Sequence, residues 1–154
     1  MTDEVSWHCK YFNELTPEEM YDILQLRSAV FVVEQQCIFL DIDGIDKQAY
    51  HLFCYQQKEL VACCRLIDKD ITFKGRTSIG RVANAALIRG SGIGKEMMKQ
   101  AIETCKGLFG DIPIRIGAQL YLKKWYERLG FVSCDDNYLE DNIEHIHMEL
   151  FFNS

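Results

Sequence analysis

Between positions 89 and 95 the chain carries Arg89, Gly90, Ser91, Gly92, Ile93, Gly94 and Lys95 in an unbroken run. Alternate glycines allow a close backbone approach, and here they fall between a strand-like stretch, Ser78 to Asn84, and a segment of helical period. The first turn of a helix has amides without intrahelical partners and carries the positive end of the macrodipole, so the junction suits an anion. The chemistry on offer is a phosphate cradle. Two nucleotide motifs fail on spacing. A P-loop needs glycine five residues before Gly94 and Ser or Thr after the lysine, where this chain has Arg89 and Glu96. The dinucleotide fingerprint needs its third glycine where Lys95 stands.

Other residues here could also do chemistry. Asp41, Asp43 and Asp46 with Gly44 invite calcium. Counted from Asp41, though, the EF-hand template needs glycine sixth and glutamate twelfth, and Asp46 and Leu52 stand there. The segment reads as a turn-rich acidic loop or as a site for a substrate amine. Arg27 lies on an otherwise apolar helix face, where it either snorkels or pairs with an acid. His51 opens a strand and has an ordinary pKa of ~6.5, suited to proton transfer, with a structural histidine as the other reading. His145 and His147 share a strand face without a third ligand, so no metal is assigned. The seven cysteines form no Cys-x-x-Cys pair and sit mostly in apolar runs, which reads as buried, reduced thiols.

The elements that must position these groups follow from period and punctuation. Trp7 to Phe12 reads as a strand. Thr16, Pro17 and Glu19 make a capped helix start, and Met20, Ile23, Leu24, Arg27 and Phe31 share one face of a helix running to about Val30. Tyr50 to Tyr55 and Leu60 to Ile67 form a hairpin across Gln56 to Glu59. After the glycine loop, Ile93, Met97, Ala101 and Leu108 make a stripe flanked by Met98 and Cys105, with Gly107 and Gly110 as stops. Ile112 to Ala118 is a strand, and Leu120 to Leu129 a short helix closed by Gly130. Phe131 to Ser133 starts a strand, Asp135 to Asn142 is a polar connection, and Glu144 to Phe151 is the last strand. Strands and helices in this order define one α/β domain over residues 1–154, with a mixed sheet.

A length of 154 residues suits one domain, and 48% hydrophobic content can fill its core. A net charge of −6, from 17 basic against 23 acidic residues without a basic block, argues against nucleic acid as a partner. No apolar run approaches the ~20 residues of a membrane span, and no signal-peptide h-region opens the chain. The expectation is a soluble, cytoplasmic protein with no membrane partner.

Arg89-x-x-Gly92-x-Gly94 resembles the acyl-CoA pyrophosphate loop of the GNAT superfamily of N-acetyltransferases. Gly117-Ala118-Gln119 followed by Trp125-Tyr126-x-x-x-Gly130-Phe131 is similar to that superfamily's later strand-helix-strand motif. Leu26-Arg27, Val30 to Gln35, Asp41-x-Asp43-Gly44-x-Asp46 and Ile79-Gly80-Arg81-Val82 extend the resemblance to the ElaA-type branch, over nearly the whole chain.

The resemblance implies a GNAT acyl-CoA N-acyltransferase fold whose mixed central sheet splays at the acetyl-CoA site. It implies that the backbone of Val82, Ala83 and Asn84 meets pantetheine, that Arg89 and Gly90 through Lys95 hold the pyrophosphate, and that Gln119 touches the donor. Tyr126 stands where many members carry the general-acid tyrosine. Some relatives place a glutamate twelve residues before that tyrosine; this chain has Ile114 there, which leaves Glu34, His51 and the three aspartates as candidate bases. The activity implied is acetyl transfer from acetyl-CoA to a primary amine of a small molecule or peptide, without a metal and with a homodimer as an option. A non-catalytic acyl-CoA-binding module, another acyl chain or a hydroxyl acceptor are the other readings.

Overall fold

The computed structural model describes residues 4–153, at residue 135 the backbone only. Two antiparallel sheets carry the chain. The first has the order β1 (Val5–Tyr11), β2 (Ala49–Gln56), β3 (Glu59–Ile67) and β4 (Ser78–Asn84). The second has the order β5 (Ile114–Gln119), β7 (Ile143–Leu150) and β6 (Val132–Glu140). The hairpin between β2 and β3 turns on Gln57 and Lys58, both at positive φ, so the connection is tighter than the four residues expected from sequence.

The sheets meet through one parallel bridge. The Thr77 amide donates to the Pro113 carbonyl at 3.1 Å, and the Arg115 amide donates to the Thr77 carbonyl at 2.8 Å. Beyond it, β4 and β5 share no backbone pairing among the described residues, so the expected mixed sheet has its parallel step at this bridge and splays from there.

Helices cover both faces of the first sheet. α1 (Pro17–Arg27) begins as its sequence requires: the Glu19 amide donates to Thr16 Oγ1 at 3.1 Å and the Thr16 amide to Glu19 Oε1 at 2.9 Å. It packs Ile23 and Leu26, with Val30 just beyond, against Phe53, Leu60, Cys63 and Ala83. α2 (Ile93–Phe109) buries Met97, Met98, Ala101 and Cys105 against both sheets. With both faces covered, β3 reads as an almost unbroken apolar run rather than an alternating one. α3 (Lys123–Glu127) follows a short 3-10 turn after β5, and Gly130 at φ +108 takes the chain into β6.

Three sequence expectations are corrected. The first helix does not stop near Val30; it widens into a π-type turn over Ser28–Glu34. Leu108 lies outside the buried stripe of α2, whose inner face passes through Cys105 instead. Most of Asp135 to Asn142 is not a connection but the body of β6, with the hairpin turning at Asp141 and Asn142. As an edge strand, β6 carries polar residues on both faces, which blunts pairing with other chains but removes the apolar alternation that marks a strand.

Candidate acyl-transfer site

The splay between β4 and β5 opens a cleft of about 510 Å³, and the glycine loop borders a second cavity of about 510 Å³. Val82, Asn84, Arg89, Leu122 and Tyr126 line both, so the two spaces meet at the end of β4.

The local backbone explains why β4 leans into the gap. Gly80 pairs with Arg65 and Ala83 with Cys63, so Arg81 and Val82 together oppose Cys64 alone. This is a β-bulge, and Arg81 takes φ +46, a conformation most side chains avoid. The bulge sets Arg81 and Val82 in the cleft wall. Sequence reading missed it, although Gly80 inside a strand is a signal for one.

The bulge is backed by a buried charge network. Arg27 is 1% exposed; its Nε donates to Asp41 Oδ2 at 3.0 Å and its Nη1 to Asp46 Oδ1 at 2.7 Å. Arg65 reaches Asp43 at 2.8 Å and Asp46 at 3.1 Å, and Arg81 lies 2.8 Å from Asp41. Three guanidinium groups thus match three carboxylates. Burial penalises the Asp46 charge, but the Arg27 and Arg65 guanidinium groups together outweigh it and hold that carboxyl below its usual range. The aspartate segment, which reads from sequence as a turn-rich acidic loop or as an amine site, has its carboxylates paired with arginines. His51 sits behind the same network, 1% exposed, with Nε2 at 3.0 Å from the Asp46 carbonyl. Burial lowers its pKa, and it lines neither cavity.

The glycine loop turns directly into the start of α2. Gly90 and Gly92 stand at φ +83 and +92, where a Cβ is strained, and Gly92 caps α2. The Glu96 amide makes a helical bond to the Gly92 carbonyl, and the Ile93 amide donates to Ser91 Oγ. Gly94 packs on Asn84, whose side-chain atoms lie 3.2 Å from where a Cβ would be, and Asn84 Oδ1 is buried without a partner. Open space over two positive-φ glycines, beside an acceptor free to take an N–H such as those of a pantetheine arm, fits a long phosphorylated thioester. Gly94→Val is therefore expected to push Asn84 into the cavity and raise the acetyl-CoA Kd at least tenfold, read by titration calorimetry. An unchanged Kd would remove Gly94 from the donor site.

Ala83 is fully buried in β4, while Gln119 at the end of β5 reaches the cleft. Tyr126 is 7% exposed, edge-on to Trp125 at 5.0 Å and to Phe131 at 5.8 Å. Burial pushes its phenol up to about 12, so it keeps its proton at neutral pH. Glu34, at the end of the π-type turn, also lines the cleft, but Arg89 grips it at 2.7 and 3.0 Å. That hydrogen bond lowers the Glu34 pKa, which makes it a weak base while the pair stands. Ile114 is buried in the core, 0% exposed, and brings no acid to the site. Among the described residues no group of three or more His, Cys, Asp or Glu is arranged to hold a metal, and no helix is long and apolar enough to cross a membrane.

The splayed sheets, the glycine-lined helix start and a protonated tyrosine at their junction define an acyl-CoA-dependent acyltransferase. The chain belongs to the GNAT acetyltransferase family, whose domain model matches residues 13–152. Within it the chain is of the ElaA type: ElaA of Escherichia coli is 38% identical over 146 residues, 94% of this chain and 95% of ElaA. A UPF0039 protein of Schizosaccharomyces pombe is 41% identical over 143 residues, 92% of this chain and 93% of its own. The crystal structure of an acyl-CoA N-acyltransferase from Pseudomonas aeruginosa is similar at 39% identity and a TM-score of 0.91, covering 96% of this chain and 99% of that one.

Proposed function

We propose that this protein transfers acetyl from acetyl-CoA to a primary amine of a small molecule or peptide, by direct attack in a ternary complex. The observation that carries this reading is the meeting of the loop cavity with the splay cleft at Val82, Asn84 and Tyr126. Donor and acceptor can enter from different spaces and touch at one point. The loop from Arg89 to Lys95 would hold the pyrophosphate, the Val82 to Asn84 segment the pantetheine arm, and Gln119 the far wall. Acetyl-CoA supplies an activated carbonyl and a thiol leaving group.

The acceptor wall favours a cationic amine. Arg81 and Arg89 are both engaged by carboxylates, whereas Glu140 and Asp141 also line the cleft, beside the apolar Phe31, Phe39 and Ile143. A primary amine of pKa ~10.4 is neutral in only about one molecule in 2,500 at pH 7, a cost of roughly 4.6 kcal/mol. The site must therefore remove a proton before attack.

Thermal shift and thiol release test the proposal together. Acetyl-CoA at about a hundred times its Kd adds ~2.7 kcal/mol, roughly 5–10 °C for a domain of this size. ATP at the same concentration is expected to add nothing. Over a panel of putrescine, 2-phenylethylamine and lysine, thiol release above hydrolysis is expected with at least one amine. Stabilisation by ATP alone, or hydrolysis-level release throughout, would sink the reading.

A further inference from the structure

The base is the open role, and one histidine outside the earlier candidates is placed for it. His145 lies near the start of β7, paired with Gln119 of β5 on one side and Tyr138 of β6 on the other. It is 7% exposed, yet it lines the same cleft as Gln119 and Tyr126. Its Nδ1 is 2.7 Å from the Ile143 carbonyl, and a carbonyl only accepts, so Nδ1 carries the hydrogen and Nε2 of the neutral ring keeps its lone pair. Tyr138 stacks on the ring at 5.4 Å and 27°, which fixes its plane. Glu140 Oε2 stands 3.6 Å from Nε2; in this tautomer both atoms only accept, so no hydrogen bond between them ties up the Nε2 lone pair. A histidine with a fixed tautomer, a basic nitrogen facing the cleft and a carboxylate beside it has the parts of a general base.

We infer that His145 is the general base of the amine transfer. The inference rests on the N-acetyltransferase reading. Nε2 takes one proton from the bound ammonium and passes it to solvent beside Glu140, which is exposed. The freed nitrogen pair forms the C–N bond to the acetyl carbonyl carbon, and the C–S bond breaks with its electron pair on sulfur. The second nitrogen proton ends on sulfur, so ammonium and thioester become amide, thiol and one released proton. The charged and titratable groups around the ring and its cleft are Glu140 and Tyr138 from β6, His147 on its own strand, and Asp141, Glu34, Arg81, Arg89, Cys37, Tyr121 and Tyr126.

The test is a pH profile of kcat/KM from pH 5.5 to 10, with acetyl-CoA and the panel amine that wild type uses best, on wild type, His145→Asn and Glu140→Gln. The asparagine amide can still donate to the Ile143 carbonyl, so the fold and the acetyl-CoA Kd are expected to hold within threefold. Wild type should plateau above a histidine-like limb. His145→Asn should lose about 10²-fold at pH 7 and keep rising about tenfold per pH unit toward pH 10, because only neutral amine then reacts. Glu140→Gln should move the acidic limb of the profile to lower pH. A His145→Asn profile parallel to wild type, or a loss below threefold, overturns the inference while leaving the acetyltransferase reading intact. If His145→Asn does not fold, an unmoved limb in Glu140→Gln overturns it instead. A wild type that acetylates none of the amines fails the parent reading.

Discussion

Replacing Arg27 with methionine is expected to lower stability by about 3–5 kcal/mol, the usual cost of breaking a buried ion pair from one side. In a domain of this size that is a fall in Tm of roughly 6–20 °C. The size follows from what remains. Asp41 and Asp46 are nearly inaccessible, and each would keep one arginine, from Arg81 and Arg65, in place of two. The network would then carry an uncompensated negative charge where water does not reach. Lys10→Met is the control: Lys10 pairs with Glu19 at 2.9 Å but is a third exposed, and its loss should cost no more than about 1 kcal/mol. A difference below 1 kcal/mol between the two variants by urea denaturation would show that the Arg27 network does not hold the fold. The same network makes an acid prediction. Burial works against the charge of Asp43, but Arg65 outweighs it and holds the carboxyl down at about 2. A depressed carboxylate contributes stability above its unfolded pKa and loses it as pH falls through the folded one. Asp43 therefore contributes fully above about pH 4, and its share disappears between pH 4 and 2.

Tyr126→Phe is expected to reduce kcat about 10²–10³-fold while leaving the acetyl-CoA Kd within threefold. The ring packs between Trp125 and Phe131, and phenylalanine keeps that packing. Only the hydroxyl is lost. A phenol held near 12 is a poor full proton donor to a thiolate of pKa ~8.5, since the transfer runs uphill by roughly 5 kcal/mol. It is a good hydrogen-bond donor to charge growing on sulfur in a place with little water, and such donors are worth about 10²–10³ in rate. The effect should shrink when the leaving thiol is made more acidic, because less charge then needs stabilising. Full activity in the variant, or an equal loss with every leaving group, would remove Tyr126 from the reaction.

Where a residue's role depends on its neighbours in sequence, it could be read without the structure. Ser78 to Asn84 is found as a strand with the ends expected, because Gly75 before it and the glycine loop after it punctuate an apolar run. The capped start of α1 and the loop-to-helix step at Gly92 are equally local. Long-range pairing was not legible. Arg27 stands out on its helix face, but its partners lie 14 and 19 positions away and its role needs three arginines to converge. The Arg89–Glu34 pair spans 55 positions and places a candidate base against a candidate phosphate ligand. In sequence His145 is one of two histidines on a strand face with no third metal ligand; only strand order puts it beside Gln119. The body of β6 was missed because an edge strand with both faces polar has no period to detect.

The single bridge at Thr77 has a consequence for how the molecule comes into being. Everything in the first sheet lies before residue 85, and everything in the second lies after residue 113. Each half thus completes its strand pairing within its own stretch of chain. The cleft belongs to neither half and exists only once α2 has brought them together. The seam between the two halves, bridged by α2, is thus also the place where substrates would meet.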